Sequence, residues 1–251
     1  MRLILMLFAL LLPPAAWAAS PVQVAVQVAV PVAAAADLRL TLPPLVDAYQ
    51  AESGAQFSVA YGSSGQMVQQ ALNGAPFQLL LLADASHADR LAAAVPGVER
   101  RPYALGRLAL VARPGSGVRD LASLKAAIMA GRIRHLAIAN PAHAPYGVAA
   151  RAVLAGLGID RNTRLVLGEN VAQALSFVTN GAADVGLVAL PLARAAGGGL
   201  IVVPVPPRLH APLVQTLVLM PGASPAAREL ADRLTSPKGR ALLAKAGFGL
   251  P

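Results

Sequence analysis

The sequence has 251 residues, enough for one large domain or two lobes of ordinary size, each with a substantial core. Hydrophobic residues make up 56% of it, and they are spread through the chain as Ala, Val and Leu, which favours a buried α/β sheet over repeated membrane spans. The net charge is +9, yet only 13% of residues are charged and 4% are aromatic. Because the arginines are scattered and form no basic stripe, the composition disfavours a nucleic-acid partner.

The first residues have the pattern of a secretory signal. Arg2 precedes an apolar run from Leu3 to Leu12, and Ala16-Trp17-Ala18 follows as a small-x-small cleavage pattern. A buried strand or a membrane anchor is the alternative, but the run is short for a span. The chain has no cysteine, which excludes a disulfide framework and a lipid-modified cysteine. We therefore expect residues 1–19 to be a signal peptide and the mature protein to be periplasmic.

Strand and helix patterns alternate along the rest of the chain. Such alternation predicts parallel βαβ units and an α/β fold. The predicted strands cover residues 22–32, 56–60, 77–82, 103–113, 136–139, 164–167, 183–190, 201–205 and 212–219. The predicted helices cover residues from about 33–38 to 53, from 64 onward, 86–95, 118–130, 147–157, from 171 onward, 225–234 and 237–246.

The stretch from Tyr61 to Gln70 is the most informative. It follows a short β pattern and leads into a helical one, so Ser63 and Ser64 stand where a helix begins. The first N–H groups of a helix have no intrahelical partners and lie at the positive end of its dipole, so they can hold a small anion. On its own, either serine could equally be an ordinary N-cap.

Three further helix beginnings follow predicted strands. They are Ala36-Asp37, Tyr146 after two prolines, and Val171 after a plausible N-cap at Asn170. In open α/β sheets ligands bind outside the carboxyl ends of the strands, where such helix beginnings gather. The four together predict an anion site.

In their order and spacing these segments resemble the molybdate-binding proteins of ABC importers, and the resemblance covers essentially all of the mature chain. It rests on Ala33-Ala34-Ala35-Ala36-Asp37-Leu38, Tyr61-Gly62-Ser63-Ser64-Gly65, Asn73-Gly74-Ala75-Pro76-Phe77, Leu82-Ala83-Asp84, Asn140-Pro141-Ala142-His143-Ala144-Pro145-Tyr146-Gly147, Glu169-Asn170-Val171, Gly186-Leu187-Val188-Ala189-Leu190, and the tail from Ala211 to Phe248.

The resemblance implies a two-lobed periplasmic-binding-protein fold of type II, in which each lobe is a mixed sheet flanked by helices and the ligand cleft lies between the lobes. Lobe one would comprise residues 20–103 and 205–251, and lobe two residues 104–204. Crossovers would lie near Ala104 and Pro204.

The resemblance also implies the site residues. Ser64 would donate through its hydroxyl and amide, Tyr146 and Val171 through backbone N–H groups, and the Ala36-Asp37 segment through an amide. Ser64 and Val171 would contact the metal-containing anion through its oxygens.

Two departures from the family pattern concern hydroxyl donors. Ala36 stands where relatives commonly have a hydrogen-bonding side chain, and Ala189-Leu190-Pro191 stands where some present a tyrosine. A neutral hydrogen bond contributes about 0.5 to 1.5 kcal/mol and one to a charged group about 1.5 to 3 kcal/mol, so the loss of two would weaken binding tens-fold to thousands-fold, unless the Tyr146 hydroxyl turned inward.

The implied function is capture of molybdate, and of tungstate, for a membrane permease and its cytoplasmic ATPase, by a monomer without a cofactor or catalytic activity. Because no side chain assigned to the site donates a transferable proton, a fully deprotonated oxyanion suits it better than hydrogenphosphate.

Other functions remain open on the sequence alone. The ligand could be sulfate, phosphate or a small organic anion, or the protein could be a degenerate paralogue without transport. A serine hydrolase using Ser64 is disfavoured because Gly62-Ser63-Ser64-Gly65-Gln66 lacks the second glycine of a nucleophile elbow. The four histidines lack metal-ligand spacing, so we expect surface or loop roles for them, and for Asp84 a turn or cap role.

Overall fold

A computed structural model describes residues 28–159 and 164–251 of the chain. The predicted signal peptide, residues 1–19, lies outside the described residues. The described part contains two five-stranded mixed sheets flanked by helices, which form two lobes. None of its helices has both the length and the apolar character needed to cross a membrane.

The strands and helices alternate for most of the chain. The strands are β1 Val30–Ala35, β2 Phe57–Gly62, β3 Leu79–Leu82, β4 Glu99–Gly106, β5 Leu108–Ala112, β6 Leu136–Ala139, β7 Leu165–Gly168, β8 Val185–Ala189, β9 Ile201–Pro204 and β10 Leu213–Leu219. The helices are α1 Pro43–Ser53, α2 Ser64–Leu72, α3 Ala85–Ala94, α4 Leu121–Met129, α5 Pro145–Gly156, α6 Val171–Thr179, α7 Leu190–Ala195, α8 Pro225–Thr235 and α9 Pro237–Ala246.

Lobe one is built on the sheet with strand order β2-β1-β3-β10-β4. Strand β1 pairs in parallel with β2 and β3, whereas β10 is antiparallel to both β3 and β4. Lobe two is built on the order β7-β6-β8-β5-β9, in which β6 is parallel to β7 and β8 and β5 is antiparallel to β8 and β9. Each lobe thus has a parallel three-stranded half and an antiparallel half.

The central strands are buried on both faces. All residues of β3, β5, β6 and β8 are buried, which explains their continuous apolar sequences. The parallel strands of each sheet end at the edge that faces the other lobe, so the helices that follow them begin beside the cleft.

The single predicted strand over residues 103–113 is wrong. The chain changes sheet at Arg107, so that β4 pairs with β10 in lobe one and β5 pairs with β8 and β9 in lobe two. The chain returns to lobe one between β9 and β10, through a segment that includes a short 3₁₀ helix at Pro207–Leu209.

Two helix predictions also need correction. Ala33 to Ala35 belong to β1, a 3₁₀ helix covers Ala36–Leu38, and α1 begins only at Pro43. The sequence pattern does not predict helix α7, because Pro191 indicates the end of a strand there, whereas proline is also well suited to the first turn of a helix.

The predicted caps of two helices are confirmed. The side chain of Asn170 accepts hydrogen bonds from the N–H groups of Ala172 and Gln173, and Gly247 ends α9 with a φ of 112°.

Candidate functional site

A small cavity lies between the lobes, where the carboxyl ends of the parallel strands meet. It contains about 210 Å³ of space free of protein atoms. All five residues predicted for the site line it, together with their neighbours: Ala35, Ala36, Asp37, Gly62, Ser63, Ser64, Ala83, Ala144, Pro145, Tyr146, Asn170 and Val171. The fold therefore brings together segments that are far apart in the sequence. Ala35 and Val171, which both line the cavity, are separated by 136 positions.

Ser64 is the first residue of α2 and is fully buried. Its hydroxyl oxygen accepts a hydrogen bond of 2.9 Å from the backbone N–H of Ala83, at the end of β3. In the described part of the chain, no protein atom accepts the Ser64 hydroxyl proton through a hydrogen bond. The proton and the first amide of α2 are thus available to a ligand in the cavity.

Ser63 has the position of an N-cap, but its side chain does not cap the helix. Its hydroxyl donates to Oε1 of Gln66 at 3.1 Å, and its oxygen lies 2.8 Å from Nδ1 of His143 in lobe two. The contact with His143 joins the beginning of α2 to lobe two.

Helices α5 and α6 also leave their first amides without a partner inside the helix. In α5, Pro145 has no N–H group, and the N–H of Gly147 bonds to the carbonyl of Ala144, so Tyr146 presents the first amide. In α6, the Asn170 side chain engages the second and third amides and leaves that of Val171. Both amides come from residues that line the cavity.

The Ala36-Asp37 segment differs from the prediction. It forms one turn of 3₁₀ helix rather than the start of an α-helix. Asp37 is fully buried, and its Oδ2 accepts hydrogen bonds from the Tyr146 hydroxyl at 2.9 Å and from Nε2 of Gln215. Burial raises the pKa of the Asp37 carboxyl to about 6, although Gln215, Tyr146 and nearby backbone N–H groups lower it. The segment that was expected to supply only an amide thus also places a buried carboxyl group at the site.

The Tyr146 hydroxyl does not replace the missing donors, because it donates to Asp37. Burial, followed by the charge of Asp37, raises the pKa of this hydroxyl well above its usual value, so it stays protonated. The close approach depends on Gly106, where a Cβ atom would lie 2.7 Å from the Tyr146 hydroxyl. Ala189 and Leu190 are buried in lobe two and are not among the residues that line the cavity.

A group of contacts between the lobes was missed by the sequence analysis. Besides the contact between Ser63 and His143, the backbone N–H of Gly65 donates to the carbonyl of His143 at 3.0 Å. The Gln66 side chain donates to Glu169 at 2.8 Å, and Nε2 of His143 lies 3.5 Å from the same carboxylate. These contacts hold the beginning of α2 against lobe two.

His143 lies in the turn before α5, as expected of a loop residue, and it also contacts Ser63 of the other lobe. Asp84 stands at the N-cap position of α3, but its side chain forms no capping hydrogen bond. It contacts Nδ1 of His87 at 2.8 Å instead. Among residues 28–159 and 164–251, no group of three His, Asp or Glu side chains is suited to hold a metal ion.

Local sequence could not reveal His143 or Gln215 as members of this region. Both are polar residues in segments with the patterns of a loop and a strand, and their partners lie 80 and 178 positions away. The local signal for Gln215 is the polar pair that it forms with Thr216 in the otherwise apolar strand β10.

Comparison with known proteins agrees with this architecture. The family model for bacterial extracellular solute-binding proteins matches residues 30–249. The chain is 36% identical to the molybdate-binding protein ModA of Azotobacter vinelandii over 234 residues, which are 88% of this chain and 90% of that protein. It is also 36% identical to ModA of Rhodobacter capsulatus over 204 residues, 78% of this chain and 79% of the relative.

A solved structure supports the same relationship. The periplasmic molybdate-binding protein of Azotobacter vinelandii superposes with a TM-score of 0.77 at 31% identity, covering 88% of this chain and 99% of that one. The two-lobed fold, the cavity between its lobes and these matches agree. The chain belongs to the family of bacterial extracellular solute-binding proteins.

Proposed function

We propose that this protein captures molybdate, and also tungstate, and delivers it to an ABC importer. The observation that carries the proposal is the convergence of three first amides, those of Ser64, Tyr146 and Val171, with the free proton of the Ser64 hydroxyl on one cavity between the lobes. Donors of this kind hold a small anion without a formal cation. The names of the relatives described above support the same ligand.

The composition of the cavity wall favours an inorganic oxyanion over a carboxylate. Its lining contains no lysine or arginine, whereas carboxylate sites usually recruit a bidentate arginine. The donors are backbone amides and one hydroxyl, which surround a ligand from both lobes and suit a tetrahedral anion with acceptors in every direction. Molybdate and tungstate are nearly alike in size and charge, so both are expected to bind.

Transport follows from closure of the lobes over the anion. We propose that lobe one comprises residues 20–103 and 205–251 and lobe two residues 104–204, and that the anion favours the closed form because it contacts both lobes. The closed form would then engage a membrane permease that is driven by a cytoplasmic ATPase. The protein would act as a periplasmic monomer, without a cofactor or catalysis, after removal of residues 1–19.

Isothermal titration calorimetry of residues 20–251 tests the proposal with molybdate, tungstate, sulfate and phosphate. We expect tight binding of the first two only. Ser64→Ala should weaken it about 10-fold to 150-fold, since a hydrogen bond to a charged group contributes about 1.5 to 3 kcal/mol.

Ser58→Ala is the matched control, because Ser58 is an exposed serine of β2 and should not affect binding. Failure to bind any of the four anions, or equal affinity of wild type and Ser64→Ala, would contradict the proposal.

A further inference from the structure

A buried carboxyl group is an unexpected part of a site for a dianion. Asp37 lines the cavity and is fully buried. Its Oδ2 already has two donors, Tyr146 and Gln215, and Gln215 is held in turn by the Tyr103 hydroxyl at 2.6 Å. The side chain of Asp37 is therefore fixed in place by residues of α5, β10 and β4.

The second carboxyl oxygen has no such partner. Oδ1 of Asp37 is the one buried side-chain nitrogen or oxygen in the described part of the chain without a hydrogen bond of good geometry, although the backbone N–H groups of Asp37 and Leu38 lie near enough to the carboxyl to lower its pKa. Buried polar atoms are nearly always satisfied, and Asp37 is among the residues that line the cavity, so a bound ligand is a candidate partner for this oxygen.

In the described part of the chain no cationic side chain forms an ion pair with this carboxyl, and Arg39, which ends the same turn, lies over the Tyr61 ring instead. The titratable groups that face it are the hydroxyls of Tyr146 on α5 and Tyr103 on β4, and both remain neutral. Of the other elements against the 3₁₀ turn, α6 has no charged residue, β2 contributes only Tyr61, and Arg194 of α7 lies near Gly247 instead. An ionised Asp37 would thus repel a dianion across a medium of low dielectric constant.

We propose that one proton is held between Oδ1 of Asp37 and an oxygen of the bound anion, so that each dianion binds together with one proton from the solvent. The inference rests on the proposed function and deepens it. The shared proton converts the repulsive contact into a hydrogen bond. It also provides a donor next to Ala36, whose own side chain has none.

The protonation state of the free protein sets the pH range. With a pKa of about 6 for Asp37, the carboxyl is mostly ionised above pH 7, so binding must take up the proton there. Below pH 5 the proton is already in place. Affinity for the dianion should therefore be highest in acid and should fall about tenfold for each pH unit above about 7, as linkage of one proton requires.

Calorimetry of residues 20–251 with molybdate counts this proton directly. Titrations at pH 8 in two buffers with different ionisation enthalpies should show uptake of close to one proton per anion, and at pH 6 about half a proton. Asp37→Asn has a permanent N–H donor in place of the proton and should take up none, with an affinity that hardly changes with pH. Asp47→Asn, at an exposed position of α1, should behave as the wild type.

The outcomes separate the two proposals. Tight binding of molybdate by the wild type without proton uptake at pH 8 would overturn the inference and leave the proposed function intact. The inference is also overturned, and the function again untouched, if Asp37→Asn keeps the pH dependence of the wild type. Absence of molybdate binding by both proteins from pH 6 to 8 would overturn the proposed function, and the inference with it.

Discussion

The buried carboxyl of Asp37 should make the stability of the ligand-free protein depend on pH. Its pKa in the folded protein is about 6, compared with an ordinary value of 3.8. The folded state therefore binds more protons than the unfolded state between about pH 4 and pH 6. The stabilising contribution of the protonated group is fully present below pH 4 and is lost as the pH rises through 6.

The magnitude follows from the difference of about two pH units. At 1.36 kcal/mol per unit, the ionised carboxyl costs the fold about 3 kcal/mol at neutral pH, as an order of magnitude. That is a large share of the 5 to 15 kcal/mol that stabilises a typical domain. Asp37→Asn removes the titration and keeps an oxygen that can accept from Tyr146 and Gln215.

Urea unfolding at pH 4, 5, 6 and 7 without any oxyanion measures this effect. The free energy of unfolding of Asp37→Asn, minus that of the wild type, should increase by about 3 kcal/mol from pH 4 to pH 7. Any cost of burying the amide N–H of the variant is the same at every pH, so the slope with pH carries the test. A difference that stays constant across this range would refute the reasoning.

Substitutions of three glycines and one glutamine test other parts of the structure. Gly65→Ala should lower molybdate affinity about tenfold or more without loss of folding, because its Cβ would lie 2.7 Å from the carbonyl oxygen of His143 and obstruct closure of the lobes. Calorimetry measures the affinity, and circular dichroism checks the fold. Gly147→Ala should destabilise α5 by about 1 to 3 kcal/mol, since its Cβ meets a backbone carbonyl, whereas Gly156→Ala meets open space and should be neutral or stabilising in thermal unfolding. Gln66→Ala removes the contact with lobe two and should speed dissociation of the anion about twofold to tenfold in stopped-flow measurements.

Much of the fold could be predicted because local signals were strong. Strand β6 and helix α9 have the predicted bounds, and Asn170 caps α6 through its side chain as its position before Val171 suggested. The change of sheet at Arg107 could not be predicted, because a single polar residue hardly interrupts an apolar pattern that continues through β4 and β5. The change of sheet depends on the strands with which β4 and β5 pair, namely β10 for β4 and β8 and β9 for β5. These strands lie far away in the sequence.

For the site, the sequence predicted which segments meet but not how their side chains are used. The first amides of α2, α5 and α6 follow from prolines, caps and strand ends, which are local features. Asp37 and Ser63 each have one partner in the other lobe, Tyr146 and His143, and a composition with few charged residues offered no reason to look for a buried carboxyl.

The position of β10 has a consequence for how the protein folds. This strand lies between β3 and β4, inside the sheet of lobe one, although more than 100 residues separate it from β4 in the chain. The strands of lobe two are contiguous in the sequence from residue 108 to 204, so during synthesis this lobe can assemble first. Until β10 is available, β3 lacks a partner on one side, and β4 has no strand partner in the described part of the chain. Such long-range pairing slows folding and exposes strand edges, which makes the early part of the chain a natural client for chaperones.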